Sequence, residues 1–290
     1  MPEFLQHLAN AVILGGTYAL LGIGLTLIFG IMRVVNFTHG ELYTFGAYMA
    51  FMLAGMFGLN FFLSLLLAAT LGVALGALIE FVLLRPLKGA DIDTTMLVMI
   101  GAGIAMQAGE QLMWGGVAKS VPNPFPTEPV ILGPVSVGPI RLFVLAVAVV
   151  LLLVFYLLIN RTKLGVAMRA TFQDPDTAAL MGVNNGLMYT LTFAIGSGLA
   201  AVAGALLGPI FVVTPTMGDL VALKAFAIVI LGGLGNIPGA TIGGFVLALV
   251  EEFGAGYVSS GYRDAMGFLL IIAVLAVRPQ GLFAAKERIG

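Results

Sequence analysis

Five ionisable side chains that we expect to lie within the membrane are the residues best placed to do chemistry in this chain: Glu41, Glu110, Lys224, Glu251 and Glu252. One such group costs roughly 2.5–3.5 kcal/mol at the centre of a membrane helix, so each is a candidate for a substrate path or its gate. Each also has a structural interpretation. Lys224 can snorkel to the outer headgroups, and Glu251 with Glu252 can mark a helix end.

The sequence motifs of enzyme active sites and of nucleotide binding are absent. No G-x-S-x-G, H-E-x-x-H or G-x-x-x-x-G-K-[ST] occurs. With no cysteine and with His7 and His39 as the only histidines, we expect no disulfide, no metal site and no cofactor bound by this chain. The chain is therefore not expected to be an enzyme, and any use of ATP and Mg requires another subunit.

Two interruptions of the apolar pattern, one in each half of the chain, are candidates for a substrate path. NFTHGE (36–41) predicts either a short cytoplasmic turn or the start of a broken second helix, and GGLGNIPGATIGG (232–244) predicts either an unwound segment or tight helix packing. The candidate path residues are Asn36, His39, Glu41, Gly232, Gly233, Gly235, Asn236 and Gly239.

A polar stretch of the sequence, residues 161–184, must lie in water between two hydrophobic runs. It predicts two short helices, 164–172 and 175–183, with Asp174 as the N-cap of the second and Pro175 at its first position. Apolar side chains on such a helix can enter a hydrophobic groove of a partner, whereas a merely solvated loop would leave them exposed without reason.

Composition predicts the elements that must position these residues. Sixty per cent hydrophobic residues, nine per cent charged residues and a mean hydropathy of +1.09 indicate a polytopic, all-α membrane bundle. Apolar runs of helix-spanning length occupy 10–31, 42–59, 61–84, 95–114, 141–159, 187–213 and 262–278. Residues 219–252 contain either a re-entrant hairpin or two short spans, so we expect seven to nine crossings with broken or re-entrant helices.

The distribution of basic residues predicts the orientation. Alternate loops carry Arg33, Arg85, Lys88, Arg161, Lys163 and Arg169, whereas the other side carries Lys119 and Arg141. The positive-inside rule then places the N-terminus outside and the C-terminus, with Arg278, Lys286 and Arg288, inside. Glu80 precedes Arg85 and is expected to snorkel to the inner surface.

Four segments carry a family resemblance: VVNFTHGELYTFGAY (34–48), RTKLGVAMRATFQDPDTAALMGVN (161–184), ILGGLGNIPGATIGG (230–244) and VRPQGLF (277–283). In order and spacing the chain resembles the LivH-type permeases of branched-chain amino acid ABC importers. The resemblance implies one permease domain, 1–290, in a bacterial or archaeal inner membrane. It also implies a LivM-like second permease, two cytosolic ATPase subunits and an external substrate-binding protein as partners, with membrane lipid around them and no nucleic acid.

On this resemblance, 161–184 is the segment that couples the permease to its ATPases. The residues implied are Arg169, Asp174, Ala178, Ala179, Leu180, Met181 and Gly182. The cargo implied is a branched-chain or related small amino acid. A permease for urea or short amides is the alternative within the family, and a passive channel for a small polar solute is the alternative of another class.

Overall fold

The computed structural model of the chain describes residues 2–278 and 281–283 and is almost entirely helical. In this part the α-helices are α1 Pro2–Met32, α2 His39–Ala50, α3 Phe61–Ile79, α4 Ile92–Trp114, α5 Pro139–Arg161, α6 Lys163–Gln173, α7 Pro175–Leu180, α8 Asn185–Leu207, α9 Met217–Gly232, α10 Ile237–Tyr257 and α11 Arg263–Val277. Strands β1 Val130–Leu132 and β2 Val135–Val137 form a small antiparallel hairpin, with Val130 opposite Val137.

Among the described residues, seven helical stretches are long and apolar enough to cross a membrane: Pro2–Met32, Phe61–Leu87, Ile92–Trp114, Pro139–Arg161, Asn185–Leu207, Ile237–Tyr257 and Ser260–Val277. The expected polytopic bundle is confirmed. The run predicted at 42–59 is not among them; it forms the 12-residue helix α2 and the π-helical turn Phe51–Met56 that follows it. Helix α9, at 16 residues, is also short.

Helices α1 and α8 form the buried centre, whereas α4 and α11 lie at the periphery. Small residues make this packing possible. A Cβ at Gly46 of α2 would overlap the backbone of Ala201 in α8, and a Cβ at Gly204 would overlap the carbonyl oxygen of Tyr43. Because neighbouring backbones come this close, larger side chains at these positions would push the helices apart.

The first interruption is a re-entrant segment of the fold. The chain reverses at Arg33, which has a φ of 54°, and residues 33–38 return into the bundle without helical structure. The ring Nε2 of His39, the first residue of α2, donates to the carbonyl oxygen of Leu21 at 3.1 Å. Since Leu21 precedes the end of α1 by about 16 Å of helix rise, α2 starts well inside the membrane-spanning region. The broken second helix is therefore the correct alternative.

The second interruption is smaller than the sequence suggested. Only residues 233–236 are non-helical, and they form a turn between α9 and α10 in which Gly233 and Gly235 have φ of 86° and 77°. The alternative of an unwound segment is therefore wrong for 237–244, which are helical. There, a Cβ at Gly239 would overlap the backbone of Gly232, so tight packing describes this part.

Two ends of the bundle can now be distinguished. The basic end carries Arg33, Lys88, the 161–184 segment and the 233–236 turn, since Gly235 and Gly30 both pack against Phe172. The opposite end carries the start of α1 and the β-hairpin, which are joined by hydrogen bonds between Gln6 and Ser136 of 2.8 and 2.9 Å. Lys286 and Arg288, expected inside, lie outside the described residues.

Candidate functional site

A groove between α2, α4 and α9 holds the most unusual chemistry of the molecule. We call it the acidic groove: a cavity of about 310 Å³ whose polar lining is Glu41, Gln107 and Asp219 and whose walls include Phe37, Ile104 and Phe226. Glu41 is 5 % exposed, and its Oε2 has no hydrogen-bond partner among the described residues. The amide of Gln107 donates to Asp219 at 3.0 Å.

The re-entrant segment positions the acidic groove. Because α2 starts inside the bundle, Glu41 in its first turn is held away from water, next to the first turn of α9. A Cβ at Gly218 would lie 2.7 Å from Oε1 of Glu41, so the glycine leaves room for the carboxylate against the α9 backbone. Asp219 precedes the basic end of α9 by about 20 Å of helix rise.

A polar seam continues from the acidic groove between α2 and α4. Gly103, Gln107 and Glu110 recur at helical spacing along one face of α4. Glu110 is 4 % exposed, and both of its carboxylate oxygens lack a partner within the described chain. The buried Tyr48 hydroxyl of α2 is also unpartnered, and its ring stacks on Trp114 at a centroid distance of 4.7 Å.

The other face of α9 lines a second cavity, about 420 Å³, which we call the lysine cavity. Lys224 extends here, and its ammonium contacts Tyr18 Oη at 2.8 Å, Glu251 Oε2 at 2.9 Å and Asp264 Oδ1 at 2.7 Å. The Tyr18 hydroxyl in turn donates to Glu251 at 2.7 Å. The ammonium therefore makes two hydrogen bonds and a further ion pair inside the bundle.

Glu252 belongs to a neighbouring set of contacts at the opposite end. It accepts from Asn10 at 3.0 Å, lies 3.5 Å from the His7 ring and pairs with Arg263. The expectation that Glu251 and Glu252 mark a helix end was wrong, because α10 continues to Tyr257 and both carboxylates are buried between helices.

Two expectations of snorkelling were also wrong. Lys224 turns inward to its three partners and is buried, so it does not reach the headgroups. Glu80 is buried as well, and it accepts a 2.5 Å hydrogen bond from the hydroxyl of Thr190 on α8. Pairing inside the bundle satisfies both groups better than a long reach to the surface, because their partners lie within hydrogen-bond distance.

The candidate path residues separate into two places. Asn36 and His39 are fully buried among the chain's own helices, and Glu41 lines the acidic groove. Gly232, Gly233, Gly235, Asn236 and Gly239 lie at or beside the basic-end turn, where the side-chain amide of Asn236 donates to the carbonyl of Phe283 at 2.6 Å. The structure therefore does not bring these candidate path residues into one site: Glu41 lies beside the first turn of α9, and the second set lies at or just beyond the last turn of the same helix.

The 161–184 segment folds as two short helices, close to the sequence prediction. Asp174 caps α7, since its Oδ1 accepts from the backbone N–H groups of Asp176 at 3.0 Å and Thr177 at 3.1 Å. The Thr177 hydroxyl donates to Oδ2 at 2.5 Å. These hydrogen bonds, that from the hydroxyl first, lower the pKa of Asp174 from its usual value.

Helix α7 ends at Leu180, three residues before the predicted end. Gly182 has a φ of 88°, and the N–H groups of Gly182 and Val183 donate to the carbonyls of Ala179 and Ala178, each at 3.0 Å. This is the Schellman arrangement, in which a left-handed glycine closes the helix. Both ends of α7 are thus fixed by local hydrogen bonds.

The side chains of this segment divide into outward and inward groups. Leu180 and Met181 are 87 % and 82 % exposed, and Arg169, Ala179 and Gly182 also face outward. Ala178 is 3 % exposed and packs toward the bundle, so it is not available to a partner as the sequence had suggested. Sequence spacing alone could not distinguish Ala178 from Ala179.

The segment is tied firmly to the membrane helices. Thr171 donates to Asn185 Oδ1 at 3.3 Å, and the Asn185 amide donates to the carbonyl of Pro175 at 2.7 Å. Met168 is fully buried, and Phe172 lies against Gly30 of α1 and Gly235 of the turn. A force applied to α7 would therefore reach α1, α8 and the α9–α10 turn.

Several residues of the two cavities and of the polar seam were not identified from the sequence. Gln107 and Asp219 are single polar residues in largely apolar surroundings, with no distinctive spacing. Tyr18 and Asp264 lie far in sequence from Lys224, and Tyr48 lies far in sequence from Glu110. One weak signal existed: Gln107 and Glu110 share a helix face with Gly103. Nothing in the sequence indicated that this face turns toward Glu41.

The fold is that of a multi-pass helical membrane protein with a capped, solvent-exposed segment at one end. Residues 7–275 match the family described as the permease component of the branched-chain amino acid transport system, and the chain belongs to this family. It is 37% identical to the high-affinity branched-chain amino acid transport system permease protein BraD of Pseudomonas aeruginosa, over 99% of both chains.

Two further relatives extend the comparison. The chain is 35% identical to the corresponding permease protein LivH of Escherichia coli K12, over 98% of this chain and 96% of that protein. It is 26% identical to the permease protein LivM of Salmonella typhimurium, over 91% of this chain and 67% of that one. These relatives are permease proteins of transport systems and not enzymes.

Proposed function

We propose that this chain is the permease subunit of an ABC importer that carries branched-chain or related small amino acids across the bacterial or archaeal inner membrane. Separate cytosolic ATPase subunits bind ATP and Mg and dock on 161–184, and an external binding protein delivers the cargo. The family match and the two near-full-length relatives support the transport role and the cargo class.

The observation that carries the coupling proposal is the α7 helix with its exposed apolar tip. Leu180 and Met181 protrude from a helix that is capped at both ends, and α6 anchors the segment against α1. Exposed apolar side chains on a rigid element are suited to a partner's groove. Movement of that partner would then be transmitted to the helices that line the cavities.

A LivM-like second permease is proposed to cover the open side of the acidic groove. Helix α4 packs on α2 through one face and exposes Leu97, Ile104, Leu112 and Met113 on the rest. The similarity to a LivM protein supports a pair of related folds, and related folds can associate about a pseudo-twofold axis. The substrate path would then run between the two permeases.

Docking is tested with the double variant Leu180→Asp and Met181→Asp in the assembled importer. Two carboxylates at the α7 tip should prevent burial of the tip in an apolar groove, so copurification of the ATPase subunits should be lost. Ile131→Asp places a carboxylate on another strongly exposed apolar side chain, at the opposite end, and should retain the ATPases. Full retention by the α7 variant would refute the coupling assignment.

Orientation is tested by thiol labelling, for which the cysteine-free chain is well suited. Glu3→Cys should react with an impermeant reagent from outside in intact cells, and Arg169→Cys only after the membrane is opened. Both residues are exposed, so access to the side of the membrane decides the result. The reverse pattern would invert the topology and remove the ATPase from α7.

A further inference from the structure

The acidic groove collects carboxylates in an apolar setting without a cation of its own. Glu41 is almost fully buried with an unpartnered oxygen, and Asp219 on the facing helix receives one neutral donor, Gln107. Lys224 follows Asp219 by five residues on α9 and contacts partners on the other face of the helix. Among the described residues of this cavity's lining there is no lysine, arginine or histidine.

A buried carboxylate without a partner is costly, so it demands either a proton or a cationic ligand. A primary ammonium offers three protons, and it can share them between carboxylates in short, charge-assisted hydrogen bonds. The rest of the groove is apolar, with Phe37, Ile104, Leu223 and Phe226 on its walls. Its volume of about 310 Å³ lies at the lower end of the range, roughly 300–1,000 Å³, of small-molecule sites.

We infer that the acidic groove binds the ammonium group of the transported amino acid, with Glu41 and Asp219 as acceptors and the apolar walls against its branched side chain. This inference rests on the proposed function, because it takes the cargo from there. Gln107 acts as a positioning residue, since its amide holds the Asp219 carboxylate toward the groove. Occupation is brief during transport, because a path site must also release its ligand.

The ligand chemistry can be tested without transport, on the assembled importer in nanodiscs with no binding protein present. Ile104→Cys places a single thiol of this chain on the groove wall, where a neutral maleimide can report occupancy. Isoamylamine, an ammonium with a branched chain and no carboxylate, should slow labelling at least threefold. 4-Methylpentanoate, the matching carboxylate without an amine, should leave the labelling rate unchanged, as should exchange of Na⁺ for K⁺.

Variants then assign the protection to the carboxylates. Glu41→Gln or Asp219→Asn should raise the amine concentration needed for protection by roughly tenfold, since each removes one charge-assisted hydrogen bond. Glu41→Asp keeps the charge and should restore protection. Glu80→Gln is the matched control, because that buried carboxylate is bonded to Thr190 at the basic end.

The outcomes separate this inference from the proposed function. Equal protection by amine and carboxylate, protection by Na⁺ alone, or unchanged protection in both Glu41→Gln and Asp219→Asn would overturn the ammonium site. Failure of the wild-type importer to take up leucine in proteoliposomes with its binding protein would instead overturn the proposed cargo, whatever the labelling shows. If one of these two variants does not assemble, the other still tests whether a carboxylate of the groove holds the ammonium.

Discussion

Two clusters of charged residues lie against opposite faces of helix α9, and they differ in whether their buried charges are paired. In the lysine cavity, Lys224 donates to Tyr18 and Glu251 and forms an ion pair with Asp264. In the acidic groove, Glu41 lies buried with an oxygen that has no partner in the described part of the chain. A paired buried charge holds helices together, whereas an unpaired one leaves a place for a ligand.

The largest effect is expected from breaking the paired cluster. Lys224→Met leaves the Glu251 carboxylate buried without its cation, which typically costs about 3–5 kcal/mol. The apparent melting temperature of the purified chain should fall sharply, whereas Lys163→Met, on the exposed basic end, should leave it nearly unchanged. The double variant Lys224→Met with Glu251→Leu should recover much of the loss, because the uncompensated charge is gone. A harmless single variant would show that the cluster does not hold α1, α9 and α10 together.

The unpaired cluster should behave in the opposite way. Glu41→Gln removes no hydrogen bond at Oε2, so the melting temperature should not fall. Leucine uptake by the reconstituted importer should fall about tenfold, equivalent to 1.4 kcal/mol, because the ammonium loses a charged acceptor. Loss of stability with normal uptake would show that Glu41 stabilises the fold and does not bind the cargo.

A pair of tyrosine variants sharpens the comparison with identical chemistry. Tyr18→Phe removes a hydroxyl that joins Lys224 and Glu251 and should cost about 1–2 kcal/mol of stability. Tyr48→Phe removes a buried hydroxyl with no partner among the described residues and should be neutral or stabilising. Thermal unfolding of both variants under one condition gives the answer. Equal effects would mean that pairing does not distinguish the two regions.

The smallest effect is expected for a charge in water. Because hydrogen bonds lower the pKa of Asp174 in the folded chain, its cap is fully formed above the unfolded value of about 3.9 and is lost as the pH falls through the folded value. Hydrogen exchange at the Thr177 amide should therefore accelerate below about pH 4 relative to an Asp174→Asn variant, whose neutral amide caps at every pH. Identical profiles in both chains would show that the carboxylate does not hold α7.

Local features of the molecule could be predicted because they depend on residues close in sequence. Asp174 and Pro175 specified the start of α7 at the predicted residue, and the long apolar runs specified membrane helices. Glycine at 182 closed α7 earlier than expected, since a left-handed glycine ends a helix wherever the Schellman bonds can form. The exposure of Leu180 agreed with its predicted place in the coupling segment, whereas the burial of Ala178 did not.

The sequence by itself determined that the chain is a membrane bundle with a capped, water-exposed segment and two interruptions. Only the tertiary structure decided that 33–38 re-enters the bundle and that 233–236 is a turn at the basic end. It also decided that Lys224 is paired, because Tyr18 and Glu251 lie 206 and 27 residues away along the chain. Helical periodicity fixes which residues share a face, but the face a helix presents to its neighbours depends on how closely glycines such as Gly40, Gly46 and Gly218 let the backbones approach.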